Sequence, residues 1–488
     1  MPRKKTFKTL TYYMPQGYDK IIDKIIATEH LSERDQSISW KLKYCSIIDY
    51  IVGTHLNLKS DDFVNINQKM MKKVLGSNNV SQLLLNLSNS NLISSDKKMS
   101  IAEFRIENRK KIYTKEGKSF GFKIPDYNNK VIEPVTLEIA DKSISRINKN
   151  KEKVINQDKE LKLYQEALNC ITIDTSKLPE IIEEIIRNRK GRQKTEKEYK
   201  EYISKYNSLN NYYNITTTIP IGAKIVPDNL ASDTVISETF VESEDKIIAR
   251  VMRSVGIINS GEMYATRPVK NSRVYCELTN LNRELRKAVL IDGKNIIGLD
   301  IRNSQPLIAS YLFKKFYTDD NLPIPDDVIQ YQRDCEQGVF YDDFMKAMNL
   351  PKEFRSEFKK DFFQRVFFDK VYHTTNQLLD LFIEKYPSVW NVIKEEKGGH
   401  ALSKDYKKFA HRLQEVEALI MFDTVNVALL HQGIKCYNNY DSIHVNNMED
   451  YEMAKKVIID AFNVVGLNPT INPEYYSLKI KSEESENL

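Results

Sequence analysis

The chain has 488 residues, enough for two or three domains and a substantial core. A hydrophobic fraction of 41% with 10% aromatics excludes a disordered chain, and no apolar run approaches the roughly eighteen residues of a membrane-spanning helix. The net charge of +6 is too mild to name nucleic acid as a partner, so any basic groove must be local.

Met1-Pro2-Arg3-Lys4-Lys5 lacks the apolar core of a signal peptide, and no membrane partner is expected. The five cysteines (Cys45, Cys170, Cys276, Cys335, Cys436) follow no metal-ligand spacing and read as reduced thiols in a cytosol, so the expected location is cytoplasmic. The seven histidines do not cluster, which gives no indication of zinc.

Residues 1–130 are expected to form a small amino-terminal domain. Trp40 to Gly53 has helical periodicity, with Leu42, Cys45, Ile48, Ile51 and Val52 toward one side. Asn67–Leu75, closed by Gly76, and Val80–Leu87 predict two more helices, followed by a turn at Ser94-Ser95-Asp96. β-like segments follow at Ile101–Ile106 and Lys118–Ile124. The order resembles a winged helix that would place Ser81–Asn86 in a major groove; a helical spacer is the competing reading.

Residues 131–265 form a helical, thumb-like and connecting region. Positions 140–210 are charged and helical, with Ile181, Ile182, Ile185 and Ile186 as an apolar stripe, in a thumb or a plain linker. From 211 to 265 the text reads as irregular β structure. Lys149–Lys153, Arg187–Arg192 and Arg3-Lys4-Lys5 are basic patches suited either to nucleic acid or to solvated faces.

Residues 266–488 carry the chemistry. Leu299-Asp300-Ile301 and Tyr440-Asp441-Ser442-Ile443 each place an aspartate at the edge of a buried-strand pattern. Such an aspartate often only caps the next helix. Two of them side by side are costly unless a cation lies between, and a magnesium pair would suit in-line attack on phosphorus. Between them, Arg355, Lys359, Phe363 and Phe367 recur every fourth residue along a helix predicted from Arg355 to Phe368. Two cations followed by two rings suit a triphosphate and a base; an amphipathic helix with a basic edge is the alternative.

At these positions the chain resembles the palm and fingers of family A DNA polymerases, relatives of the bacteriophage-type single-subunit RNA polymerases. Asp300 and Asp441 match the metal aspartates of the first and third motifs. Arg355, Lys359, Phe363 and Phe367 match the second. Arg273-Val274-Tyr275 with Asn280-Leu281-Asn282, the run Leu285–Leu290, Tyr386-Pro387-Ser388-Val389 and Gln414, which opens a long helix, follow in the family's order over 273–476. The resemblance implies an α+β right-hand polymerase, a palm sheet with helical fingers and thumb. After Asp441 come a helix at Glu449–Val464, Gly466 and a last strand near Thr470–Asn472. No strand carries the Asp-x-Glu pattern of a proofreading exonuclease.

The resemblance further implies a template-directed nucleotidyltransferase, most simply a DNA-directed DNA polymerase of phage or plasmid replication type. Asp300 and Asp441, with the Ile301 carbonyl, would hold two Mg²⁺ ions, manganese being the alternative. Lys359 and Arg355 would grip the nucleoside triphosphate, Phe363 would stack on its base, and Phe367 would abut the sugar and templating base. Arg273, Asn280, Gln414 and Tyr440 would contact primer–template, and the amino-terminal domain would bind origin duplex. Three departures bear on sugar choice: Gln305 stands where the family has a glutamate, Phe367-Phe368 where Tyr-Gly is usual, and Tyr-Asp-Ser where His-Asp-Glu is usual. Gln305 is expected to crowd the 2′-hydroxyl by shape. A single-subunit RNA polymerase or primase is the first alternative; a DNA-binding initiator with a non-catalytic palm is the second.

Overall fold

In the computed structural model of the protein, the described residues are 7–29, 40–58, 62–66, 71, 75, 80–96, 121–140, 158–218, 243–261, 263–267, 272–368, 377–398 and 407–476. The chain folds as two units, Met1–Lys162 with Ser232–Glu262, and Leu163–Ala231 with Met263–Leu488.

In the first unit, β1 (Phe7–Pro15) leads into a helix at Tyr18–Glu29, and the helix Trp40–Leu58 follows. Leu42, Cys45, Ile48, Ile51 and Val52 are all buried, as a helical stripe requires. Then come β2 (Val64–Asn65), the helix Val80–Asn89, β3 (Ser94–Ser95), β4 (Gly121–Lys123) and β5 (Ile132–Ala140). Three short strands make an antiparallel sheet in the order β2-β4-β3. Ser94 and Ser95 therefore lie in a strand rather than the expected turn, because both find partners on β4. Asn86 is not on an outward face: it is buried and donates to the Tyr44 hydroxyl at 2.9 Å. The segment Ile101–Ile106, Lys118–Phe120, most of Asn67–Gly76 and the patches at Arg3–Lys5 and Lys149–Lys153 lie outside the described residues.

A boundary at 130 cuts this unit. β5 pairs with β1 over nine residues, from Phe7 opposite Ala140 to Pro15 opposite Ile132. The expected β text of 211–265 also yields to helix at Glu244–Asn259, where Ile247, Val251, Val255 and Ile258 recur at helical spacing and are buried. Within the unit, Arg253 pairs with Asp49 at 2.8 Å and Lys246 donates to the Asn128 carbonyl at 2.9 Å. A fragment ending at residue 130 is thus expected to expose the whole edge of β1 and to aggregate. Soluble, monomeric, cooperatively unfolding material from that fragment, judged by gel filtration and circular dichroism, would contradict this pairing.

The second unit begins its sheets with β6 (Ile171–Ile173), which interrupts the helical reading of 140–210: Ile171 and Ile173 are buried on one face and Thr172 is exposed on the other. The helix Leu178–Thr218 follows, burying Ile181 and Ile185. β6 pairs with β7 (Val289–Ile291), which turns through Asp292-Gly293 into β8 (Lys294–Asn295). A separate antiparallel sheet holds β9 (Ile297–Ile301), β10 (Tyr437–Asn439), β11 (Ser442–Val445) and β12 (Ile471–Tyr475) in the order β10-β11-β9-β12. Helices at Ser304–Asp319, Asp326–Glu336, Phe340–Ala347, Gln377–Lys385, Pro387–Glu396 and Lys407–Ala418 join this sheet in one hydrophobic core. The helix Met448–Val464 is capped by Asn447, which accepts from the Asp450 amide at 2.8 Å, and is ended by Gly466 at φ +72°. Among the described residues no helix is long and apolar enough to cross a membrane.

Candidate active site

β9 is the inner strand that fixes the site. Asp300 stands opposite Ser442 on β11 and Asn472 on β12. β10 and β11 are joined through Tyr440-Asp441, with Asn439 opposite Ser442. The hairpin therefore brings Asp441 within one residue of the cross-strand partner of Asp300. Tyr440 sits at φ +57°, a conformation bulky residues rarely adopt. Asn438 Nδ2 secures it by donating to the Tyr440 and Ser442 carbonyls at 3.0 and 3.4 Å. The Arg273 guanidinium lies 4.6 Å from the Tyr440 ring centre.

Burial, with the charge of Glu474 behind it, pushes the Asp300 carboxyl up to about 6. Burial, then Glu417 and Asp300, pushes Asp441 up to about 7. Lys359 is lowered by burial and by Arg355, while Asp300 and Asp441 act in the opposite direction. Glu474 was not legible in the sequence. Its strand partner is Gly298, two residues before Asp300, which sets the two carboxylates on one face. It accepts from Arg283 Nη2 at 2.7 Å and from the Tyr476 hydroxyl.

Asp300, Ile301, Gln305, Arg355, Lys359, Phe363 and Asp441 line one cleft of ≈ 1130 Å³. Arg283, Arg286, Lys287 and Arg302 line it too, beside Glu184, Glu284 and Glu474, so the cleft is densely charged with both signs. Tyr341, also unforeseen, is a buried platform, with Arg355 and Lys359 at 5.7 and 5.1 Å from its ring centre. Arg355 also pairs with Asp342 at 3.1 Å.

Phe367 requires correction. The helix Arg355–Phe362 does not continue in the same winding; Phe363–Phe368 forms a π-helical turn. In a π-turn residues five apart align, where an α-helix aligns those four apart. Phe368 accordingly stacks on Phe363 at 5.7 Å and 21°, while Phe367 is wholly buried, edge-on to Phe363 at 5.6 Å and packed against Phe362 and Phe409. Phe367 cannot meet a nucleotide there. Arg273, Asn280, Gln414 and Tyr440 also lie outside the cleft lining. Asn280 is exposed in a short turn. Gln414 lies inside the helix Lys407–Ala418 and does not open it, because the helix already begins at Lys407. Arg273 is committed to Glu417, which it grips at 2.6 and 2.8 Å.

The donor set fits a divalent cation. Two like-charged, partly desolvated carboxylates favour protonation until a cation relieves them, and magnesium keeps water and phosphate oxygens for its other positions. Among the described residues no three histidine, cysteine or acidic side chains form a cage for a metal ion. Both side-chain atoms of Asn303, Ser304 Oγ and Asn439 Oδ1 line the same region, buried and without a protein partner.

The raised carboxyls have a stability consequence. Their folded-state pKa exceeds the usual carboxylate value, so the folded state binds more protons between about pH 4 and 7. Stability from this source is present at low pH and is lost as pH rises through about 6 and 7. In chelator, Asp441→Asn is therefore expected to unfold at a higher temperature than the parent at pH 8, with a smaller gap at pH 5. Thermal unfolding at both pH values checks this; a variant less stable than the parent at pH 8 would refute it.

No family model matches the chain, and no curated protein matches it. Among solved structures, the chain is similar to the POL domain of Pol1 from M. smegmatis in complex with DNA primer-template and dNTP. That likeness has 11% sequence identity and a TM-score of 0.37, covering 68% of this chain and 72% of that one.

Proposed function

We propose that the chain is a template-directed nucleotidyltransferase, most simply a DNA polymerase of family A type that extends a primer from dNTPs. The observation that carries this is the placement of Asp441, in the β10–β11 turn, next to the cross-strand partner of Asp300, with both carboxylates, Lys359 and Arg355 lining one cleft. Structural ion pairs neutralise one another. Here two carboxylates are held with their pKa values raised instead.

Asp300 and Asp441, with the Ile301 carbonyl, would hold magnesium or manganese, whose charge would acidify a primer 3′-hydroxyl and offset charge on the phosphates. Lys359 and Arg355 would bind the triphosphate. Because its pKa is lowered, Lys359 would also release a proton readily to the departing pyrophosphate. Phe363 would stack on the base, with Phe368 in place of Phe367 as its companion ring. Gln305 would border the sugar.

The first unit supports a duplex-binding role. The described order of helix, strand, helix and two further strands, with sheet order β2-β4-β3, is compatible with a winged helix, which would locate an origin duplex. A single-subunit RNA polymerase or primase is favoured by two departures, Gln305 in place of a glutamate and the Asp441-Ser442 pair of the third motif. The deciding assay offers purified full-length protein a primed and an unprimed template, with dNTPs or NTPs separately. Primer-dependent dNTP incorporation is the expected result. A preference for ATP over dATP would overturn the DNA-polymerase reading in favour of the RNA-polymerase one.

A further inference from the structure

Glu417 is 1% exposed and faces the Arg273 guanidinium. A buried carboxylate is tolerated when a cation and hydrogen bonds surround it. Arg273 meets that need alone, through Nε at 2.6 Å and Nη2 at 2.8 Å. Yet Glu417 also accepts from Gln305 Nε2 at 2.7 Å. That third bond is unnecessary for neutralisation, but it decides what Gln305 can do.

Gln305 occupies the first turn of the helix Ser304–Asp319 and lines the cleft. A glutamine without a partner has high rotamer freedom and gives way when pushed. Bonded to a buried carboxylate, its amide is fixed: the nitrogen end is taken and the carbonyl end remains. The side chain becomes a wall. We propose that Glu417 is a specificity-determining positioning residue, which holds Gln305 rigid beside the sugar and so sets the choice between deoxyribo- and ribonucleoside triphosphates. This rests on the polymerase reading above. A fixed wall excludes the extra oxygen of a ribose, whereas a loosened one rotates aside, so freeing Gln305 favours NTPs.

The test compares single-nucleotide incorporation of dATP and ATP by full-length parent, Glu417→Gln, Gln305→Ala and the double variant. Glu417 Oε2 accepts from both Gln305 and Arg273 Nη2, while Oε1 accepts from Arg273 Nε. In Glu417→Gln one of these oxygens becomes a donor facing a donor, and the clamp on Gln305 loosens. The ratio of catalytic efficiencies should move about three- to tenfold toward ATP, the scale of one net hydrogen bond. Gln305→Ala should move it at least as far, and the double variant no further, because both act through one side chain. Equal losses for both nucleotides in Glu417→Gln, or an effect that adds in full to Gln305→Ala, would overturn the inference and leave the polymerase reading intact. If Glu417→Gln does not fold, Glu417→Asp retains the charge facing Arg273, shortens the reach to Gln305 and is held to the same ratio. A parent that incorporates neither nucleotide overturns the polymerase reading itself.

Discussion

Asp300→Ala or Asp441→Ala should abolish nucleotide incorporation while leaving the fold and duplex binding nearly intact. Both carboxylates line the cleft with Lys359, and among the described residues neither is held in an ion pair. Loss of one would remove several kcal/mol of transition-state stabilisation, a factor of a thousand or more. Primer extension at saturating magnesium measures it, with circular dichroism and a duplex-binding titration as controls. Extension above a few per cent of parent by either variant would defeat the two-metal assignment. The same substitutions should not lower stability in chelator, since they remove a carboxyl whose ionisation the fold opposes.

Lys359→Ala and Arg355→Ala should raise the Michaelis constant for nucleotide and lower turnover, with affinity for primer–template unchanged. A charge-assisted contact to phosphate contributes roughly 1.5–3 kcal/mol, or about ten- to a hundredfold. The two should differ. Arg355 shares its charge with Asp342 and is part-exposed, whereas Lys359 is drawn toward both carboxylates from a more buried position. Lys359→Ala should therefore cost more, and mainly in turnover. Variants that lose duplex binding but keep normal nucleotide kinetics would mean that this helix faces nucleic acid instead.

Much of the site could be read from the sequence because it depends on short-range rules. Apolar runs that read as buried strands placed Asp300 and Asp441 at strand edges, and helical spacing placed Arg355 and Lys359 on one face. What escaped depends on register or on distant partners. Glu474 reaches Asp300 only through the pairing of β12 with β9, and Glu417 matters only because Arg273 and Gln305 converge on it from far away in the chain. Phe367 was misplaced because i, i+4 spacing presumes an α-helix, and nothing local announces a π-turn. The fold of the first unit was under-read for a similar reason: β5 looks like a new region until β1 is known to be its partner.

The π-turn at Phe363–Phe368 makes the identity of the stacking ring a matter of winding. Lys397, wholly buried, donates to the Val366 carbonyl at 2.7 Å and so satisfies a backbone group inside that turn from outside the helix. Phe363, which lines the cleft, meets both of its neighbours in this winding, Phe368 face-on at 5.7 Å and Phe367 edge-on at 5.6 Å, so one ring at the cleft rests on two others within six residues.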